Sequence, residues 1–205
     1  MKVPKSYHEI TVKQYVEAKA LMEEDYVFDI ERTTALISYF TGKPKEEIEE
    51  LPFKQFGELQ NNVKFMYFDL PSYQVNDIIK IDGFVFEAVK SLTKMNVAQK
   101  VDFLTTYKLS GNDLGKCIDK LLPIIYTNGK YNVEQYEQNK DLLSKAKISE
   151  VSGLVFFYSD YWHNAERIIA NYTESQTKIV EERMKWISEN NHLISSLSIS
   201  GGSIQ

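Results

Sequence analysis

The stretch Ile79-Lys80-Ile81-Asp82-Gly83-Phe84-Val85-Phe86 is where the chain changes its rhythm. Ile79 and Ile81 alternate with Lys80, a period of two, and Asp-Gly separates them from a second run of β-formers. A type I′ turn needs positive φ at both central residues, so Asp-Gly between apolar runs predicts a β-hairpin. A lone hairpin is marginal in water. It must pack on helices or pair with another strand, in this chain or in a partner. Elsewhere the apolar spacing is helical. The sequence therefore predicts a mainly α (α+β) protein: a helical bundle with one β-hairpin and a long C-terminal helix.

Upstream of the hairpin, Thr11 is a natural N-cap with Gln14 three residues on, the pattern of a capping box. Val12, Tyr15, Val16, Leu21 and Met22 follow at roughly helical spacing. Asp29 is expected to cap a second helix with Leu36, Ile37 and Phe40 inward and Gly42 at its end. Pro44 suits a first helical turn, and Glu46 and Glu47 suit a positive helix end. Pro52 restarts the helix, with Phe53, Phe56, Leu59 and Val63 as its buried stripe. This helical module, residues 1–70, is expected to end near Asp69.

Downstream, Asn96 caps a helix to about Tyr107 that would bury Val97, Val101 and Leu104. Ser110-Gly111-Asn112 breaks it. Asp113 caps the next helix, carrying Leu114, Cys117, Ile118, Leu121 and Leu122. Thr127-Asn128-Gly129 marks a turn, and Asn132 caps a helix with Val133, Tyr136, Leu142 and Leu143. Ser149 opens the last and longest helix, running to about Glu189, with Gly153 at a close contact or a weak point. Hairpin and helical core occupy 71–172. A projecting helix and a Ser/Gly tail occupy 173–205, although all three parts can also form one continuous domain. The helix starts at Thr11, Asn96 and Asn132 share a cap–Val–x–Gln pattern, read as convergent caps instead of a duplicated domain.

Composition narrows the function. The chain has 205 residues, net charge -5, 1 Cys, 9 Gly, 13 Tyr and 11 Phe. Such aromatic content excludes a wholly disordered chain, and a single cysteine excludes a disulfide scaffold. The acidic balance argues against nucleic-acid partners. No run is apolar over enough residues to span a bilayer. The Walker loop, G-x-G-x-x-G, H-E-x-x-H and G-x-S-x-G motifs are all missing, so no catalytic residue, cofactor or metal is expected. Asp160, His163 and Glu166 share one helix face, but a di-iron bundle wants Glu-x-x-His from two helices plus further Glu residues. Cys117, between Leu114 and Leu121, reads as a small buried hydrophobe. Glu46 to Glu50 reads as a solvated helix face.

The aromatic stretches carry more information. Phe65 to Phe68, and Phe156-Phe157-Tyr158 with Tyr161-Trp162, read first as central core helices. The alternative is a partner surface, where Tyr, Trp and Met are enriched. Further on, Ile179, Trp186 and Leu193, interleaved with Val180, Ile187 and Ile194, keep a spacing of seven, with Met184 between. Polar Tyr172 to Lys178 cannot anchor much core. This suits a helix that leaves the body and meets another chain, including a second copy. The candidate partner-binding residues are Phe156, Phe157, Tyr161, Trp162, Ile179, Met184 and Trp186.

Ile10-Thr11-Val12-Lys13-Gln14-Tyr15, Ala35 to Gly42 and Glu47 to Phe53 form a cap–helix–Thr-Gly–acidic-helix–Leu-Pro order. With the hairpin Ile78 to Phe86 and Leu92 to Gln99, this resembles small tailed-bacteriophage morphogenesis proteins, especially tail assembly chaperones. The resemblance covers roughly two thirds of the chain and uses caps and breakers open to any helical protein. It implies a non-enzymatic protein-binding role with phage structural partners (tail, tape-measure or portal-proximal), in the host cytoplasm during assembly. The long helix and the Ser/Gly tail fit a structural virion component as the alternative. Further alternatives are a small metal-binding or enzymatic helical protein using Asp160, His163 and Glu166, and a regulatory or nucleic-acid adaptor.

Overall fold

The computed structural model describes residues 1–91, 93–111 and 113–189, without the side chains of 114, 162–173, 175–176, 183 and 186–189. The chain divides into two units, Met1–Ser159 and a second beginning at Asp160. In order, the helices are α1 (Val12–Met22), α2 (Asp29–Thr41), α3 (Lys45–Glu49), α4 (Phe53–Val63), α5 (Val97–Leu109), α6 (Leu114–Ile125), α7 (Val133–Leu143) and α8 (Ile148–Glu189). A short sheet, β1 (Ile78–Ile81), β2 (Phe84–Ala88) and β3 (Tyr126–Thr127), lies between them in sequence. The protein is mainly α with a small antiparallel sheet, as its periodicity predicts.

Helix α1 shows how the caps tie the chain together. A helix start leaves backbone N–H groups without intrahelical partners. Gln14 N–H donates to Thr11 Oγ1 at 3.2 Å, and Thr11 N–H donates to Gln14 Oε1 at 3.0 Å, the expected capping box. Val12 and Lys13 N–H donate to the Ala146 and Ser144 carbonyls, both at 2.9 Å. Those carbonyls follow the end of α7, so one helix's free donors meet the acceptors leaving another. Ile148 N–H returns to the Ile10 carbonyl at 3.1 Å, fixing the start of α8 on the same segment. Around this join α1 packs on α2 and α6, and α6 packs on α5 and α7.

The second helix begins differently from its sequence reading. Phe28 holds the N-cap position and Asp29 is the first helical residue. Asp29 pairs with Arg32 at 2.9 Å. Glu31 closes the end, its Oε2 accepting from Val27 N–H at 3.1 Å and Phe28 N–H at 3.2 Å. Gly42 stops the helix at φ 68°, a left-handed conformation that glycine adopts without strain. Pro44 and Pro52 stand just before the first residues of α3 and α4.

Val3, Ile37, Ile48, Phe56, Leu59 and Val63 form a small core here, with Phe40 and Leu51 packed against it. Phe53 was expected in this stripe but is 88% exposed. It is the first residue of α4, where the inner face runs past the end of the core. The run Phe65 to Phe68 is no core helix. Lys64–Tyr67 forms a single 3₁₀ turn, with Met66 buried and Tyr67 and Phe68 exposed. Tyr7 anchors it, donating to the Phe65 and Phe68 carbonyls at 3.0 and 2.7 Å.

The hairpin turns at Asp82, φ 49°, and Gly83, φ 84°, as a type I′ turn requires. Ile79 faces Phe86 across the ladder and Ile81 faces Phe84. Ile79, Ile81 and Phe86 are buried. The pairing strand that the hairpin needed comes from within the chain: Glu87 and Ala88 pair with Thr127 and Tyr126 of β3. Thr127, expected in a turn, is thus in the sheet, while Gly129 takes φ 95° beyond it.

Helix α5 presents a different face from the one its aliphatic residues suggest. Val97 is 78% exposed, Val101 is exposed and Leu104 is half-buried. Gln99, Phe103 and Tyr107 are buried instead. Gln99 earns its burial twice. Its Oε1 accepts from Asn96 N–H at 3.1 Å, and its Nε2 donates to the Ile124 carbonyl near the end of α6 at 3.2 Å. At the third of the similar starts, Asn132 Oδ1 accepts from Gln135 N–H at 2.9 Å, and the Gln135 amide lies against Gly129. Val133 there is exposed while Leu143 is buried. Gln99→Ala should therefore cost about 1–3 kcal/mol, because it orphans a buried carbonyl. Gln135→Ala should stay within about 0.5 kcal/mol. Urea unfolding of the two variants checks this; equal effects would contradict the bridging role of Gln99.

Candidate functional site

Helix α8 carries every residue singled out for partner binding. Its first turns belong to the core of the first unit: Ile148, Val151, Leu154, Val155 and Tyr158 are buried. Tyr158 sits 5.3 Å from the Phe103 ring and donates its hydroxyl to the Val89 carbonyl. The core reading of this aromatic stretch holds for Tyr158. Phe156 is half-buried, and Phe157 and Tyr161 are exposed. Trp162 and Trp186 have side chains outside the described residues.

In the second unit, Ile179, Val180 and Met184 are exposed, Met184 at 63%. Around them Lys178 pairs with Glu174 at 2.9 Å, and Glu181, Glu182 and Lys185 are exposed. This is a helix surface with apolar residues set among charges of both signs. Ile187, the second member of one seven-residue spacing, lies outside the described side chains, as do Leu193 and Ile194. The helix runs 42 residues, Ile148–Glu189, across the boundary between the two units.

The residues considered for chemistry are placed as follows. Cys117 is buried, its Sγ 3.3 Å from the Asp113 carbonyl oxygen. Burial pushes its thiol up, away from the thiolate that nucleophilic chemistry requires. Asp160 is exposed, and the side chains of His163 and Glu166 lie outside the description. Among the described residues no group of three His, Cys, Asp or Glu side chains is arranged to hold a metal. Glu46, Glu47, Glu49 and Glu50 are exposed around buried Ile48, a solvated face as expected. Burial raises several tyrosine hydroxyls, with Tyr7 and Tyr136 pushed up to about 12, so their neutral, donating form extends further into alkaline pH.

The sequence missed one surface. Ile30, Glu31, Thr34, Ile48, Glu49, Leu51, Phe53 and Phe56 line a groove of about 320 Å³ between α2, α3 and the start of α4. Its floor is the small core, through Ile48 and Phe56. Its apolar edges are exposed: Ile30 at 54% and Phe53 more so. Val27 and Phe28, just before α2, are exposed too. The signal was available as apolar residues at Val27-Phe28, just before the helix, and at Ile30, about two turns ahead of Leu36 and Ile37.

No family model, curated protein or solved structure matches the chain. Among the described residues no helix is long and apolar enough to cross a membrane.

Proposed function

We propose that the chain is a non-enzymatic assembly protein of a tailed phage, resembling a tail assembly chaperone, that binds other phage structural proteins. The observation that supports this reading is the exposed apolar set Ile179, Val180 and Met184 on a 42-residue helix. An isolated helix gains little from propensity alone and is normally stabilised by packing an apolar face. Ile179, Val180 and Met184 lie within two turns of one another on α8, close enough to form one apolar patch for another chain. The partners are tail, tape-measure or portal-proximal proteins, met in the host cytoplasm. Self-association through the same helix is the form this binding takes between copies.

The test is affinity purification of the intact chain from infected cells. Tail or tape-measure proteins should co-purify, and Ile179→Glu with Met184→Glu should reduce their recovery about tenfold or more. The double variant should melt as the parent does, since both side chains are exposed. Recovery of no virion protein by the parent chain would sink the reading. Retention of the chain in finished particles would make it a virion component instead of a transient chaperone.

A further inference from the structure

We propose that the groove between α2, α3 and the start of α4 is a docking site for an amphipathic helix of another protein, one whose apolar anchors are flanked by Lys or Arg. The inference deepens the reading of the chain as a protein-binding component and names the chemistry of one partner segment. The groove is lined by Ile30, Ile48, Leu51, Phe53 and Phe56, with Glu31 and Glu49 the ionisable lining residues, both acidic and both exposed. Glu46 and Glu50 extend the negative edge along α3 and its end. Arg32 pairs with Asp29, Lys43 pairs with Glu47, and Arg32 and Lys45 both stand over the Tyr26 ring at 5.7 Å, while Lys54, next to Phe53, is exposed and is the cation that a basic partner must face.

The occupant follows from these features. Helix-in-groove recognition places apolar side chains at i, i+3, i+4 and i+7 into a cleft between helices. Phe53 and Ile30 both line the groove and are exposed, so an inserted apolar side chain would cover them. Glu31 and Glu49 favour cationic flanks and penalise acidic ones. A second copy of this acidic chain is a weaker fit on charge than a basic helix. Glu31 is exposed at the groove, and its Oε2 also accepts from the Val27 and Phe28 N–H groups.

The probe is a displayed library of short helical peptides selected on the full-length protein, with enriched peptides resynthesised and titrated by fluorescence. Peptides carrying an apolar stripe with Lys or Arg flanks should be enriched. Phe53→Ser and Ile30→Ser should each weaken them about tenfold or more. Glu31→Gln with Glu49→Gln should weaken them about three- to tenfold and flatten the salt dependence. Both apolar positions are exposed, so circular dichroism of the variants should match the parent. Enrichment of acidic peptides, no enrichment, or binding indifferent to Phe53 and Ile30 would overturn the proposal. A dimer of the parent abolished by Phe53→Ser would assign the groove to a second copy, and would overturn it as well. If phage proteins still co-purify with the Phe53→Ser chain at parental yield, the groove assignment fails while the assembly reading stands. If basic peptides bind the groove but no phage protein is ever recovered, the reverse holds.

Discussion

Replacing Gly153 by valine is expected to destabilise the protein by about 3 kcal/mol or more, and to lower its melting temperature by about 6–12 °C. Gly153 lies in α8, and a Cβ there would fall on the Tyr73 carbonyl oxygen and 2.7 Å from the Gln74 carbonyl oxygen. Both obstacles are backbone, so no rotamer change relieves them. The 73–74 segment would have to retreat, and the residues just after it are pinned. Asn76 donates its side-chain amide to the Glu150 carbonyl at 2.7 Å, and its own carbonyl accepts from the Tyr126 hydroxyl at 2.8 Å. Moving the segment thus loosens both α8 and β3. Gly153→Ala sets helix propensity, about 1 kcal/mol in favour of alanine, against the same overlap, and should still be a net loss. Gly57 in α4 is the control, since a Cβ there meets nothing within 4 Å. Gly57→Ala should stabilise by about 0.5–1 kcal/mol. Thermal and urea unfolding read both. A Gly153→Ala chain as stable as Gly57→Ala would mean that α8 does not lie on the 73–74 segment.

That contrast shows what local sequence carries and what it does not. Thr11, Asn96, Asp113, Gly42 and Asp82-Gly83 act on their own neighbours, and their structural roles follow from chemistry within four residues. The fold class was legible for the same reason. Gly153 was legible only as a choice between a close contact and a weak point, because the obstructing carbonyls come from eighty residues upstream. The third strand was hidden altogether: Tyr126-Thr127 is too short to show a period, and it is a strand only because β2 lies beside it. Asp29 was misplaced by one residue because Glu31 supplies the capping oxygens from inside the helix. On α8, a spacing of seven singles out Ile179 and Val180, and an aromatic run singles out Phe157 and Tyr161; all four are exposed. The groove was not legible, since Phe53 continues the stripe of Phe56, Leu59 and Val63 in sequence while lying beyond their core in space.

Helix α5 offers the sharpest test of how far periodicity can be trusted. Phe103→Ala is expected to cost about 3–5 kcal/mol, whereas Val101→Ala, two residues away, should stay within about 0.5 kcal/mol. Val97, Val101 and Leu104 keep a helical spacing, and so do Gln99, Phe103 and Tyr107. Two faces of one helix thus satisfy the same pattern, and only burial volume and polar partners choose between them. Phe103 is 1% exposed and lies between Tyr107, at 6.3 Å with nearly parallel rings, and Tyr158, at 5.3 Å. Truncating it leaves a cavity against two other aromatic rings and against the start of α8. A polar residue, Gln99, occupies the same face and weakens the apolar signal there, yet its amide is what joins α5 to the end of α6. The choice of face was therefore made by a long-range hydrogen bond and by aromatic area, neither of which enters a count of aliphatic positions. If Val101→Ala proves as costly as Phe103→Ala, the helix is turned the other way. The aliphatic stripe would then be the buried one, and Gln99 would face solvent with its bond to Ile124 lost.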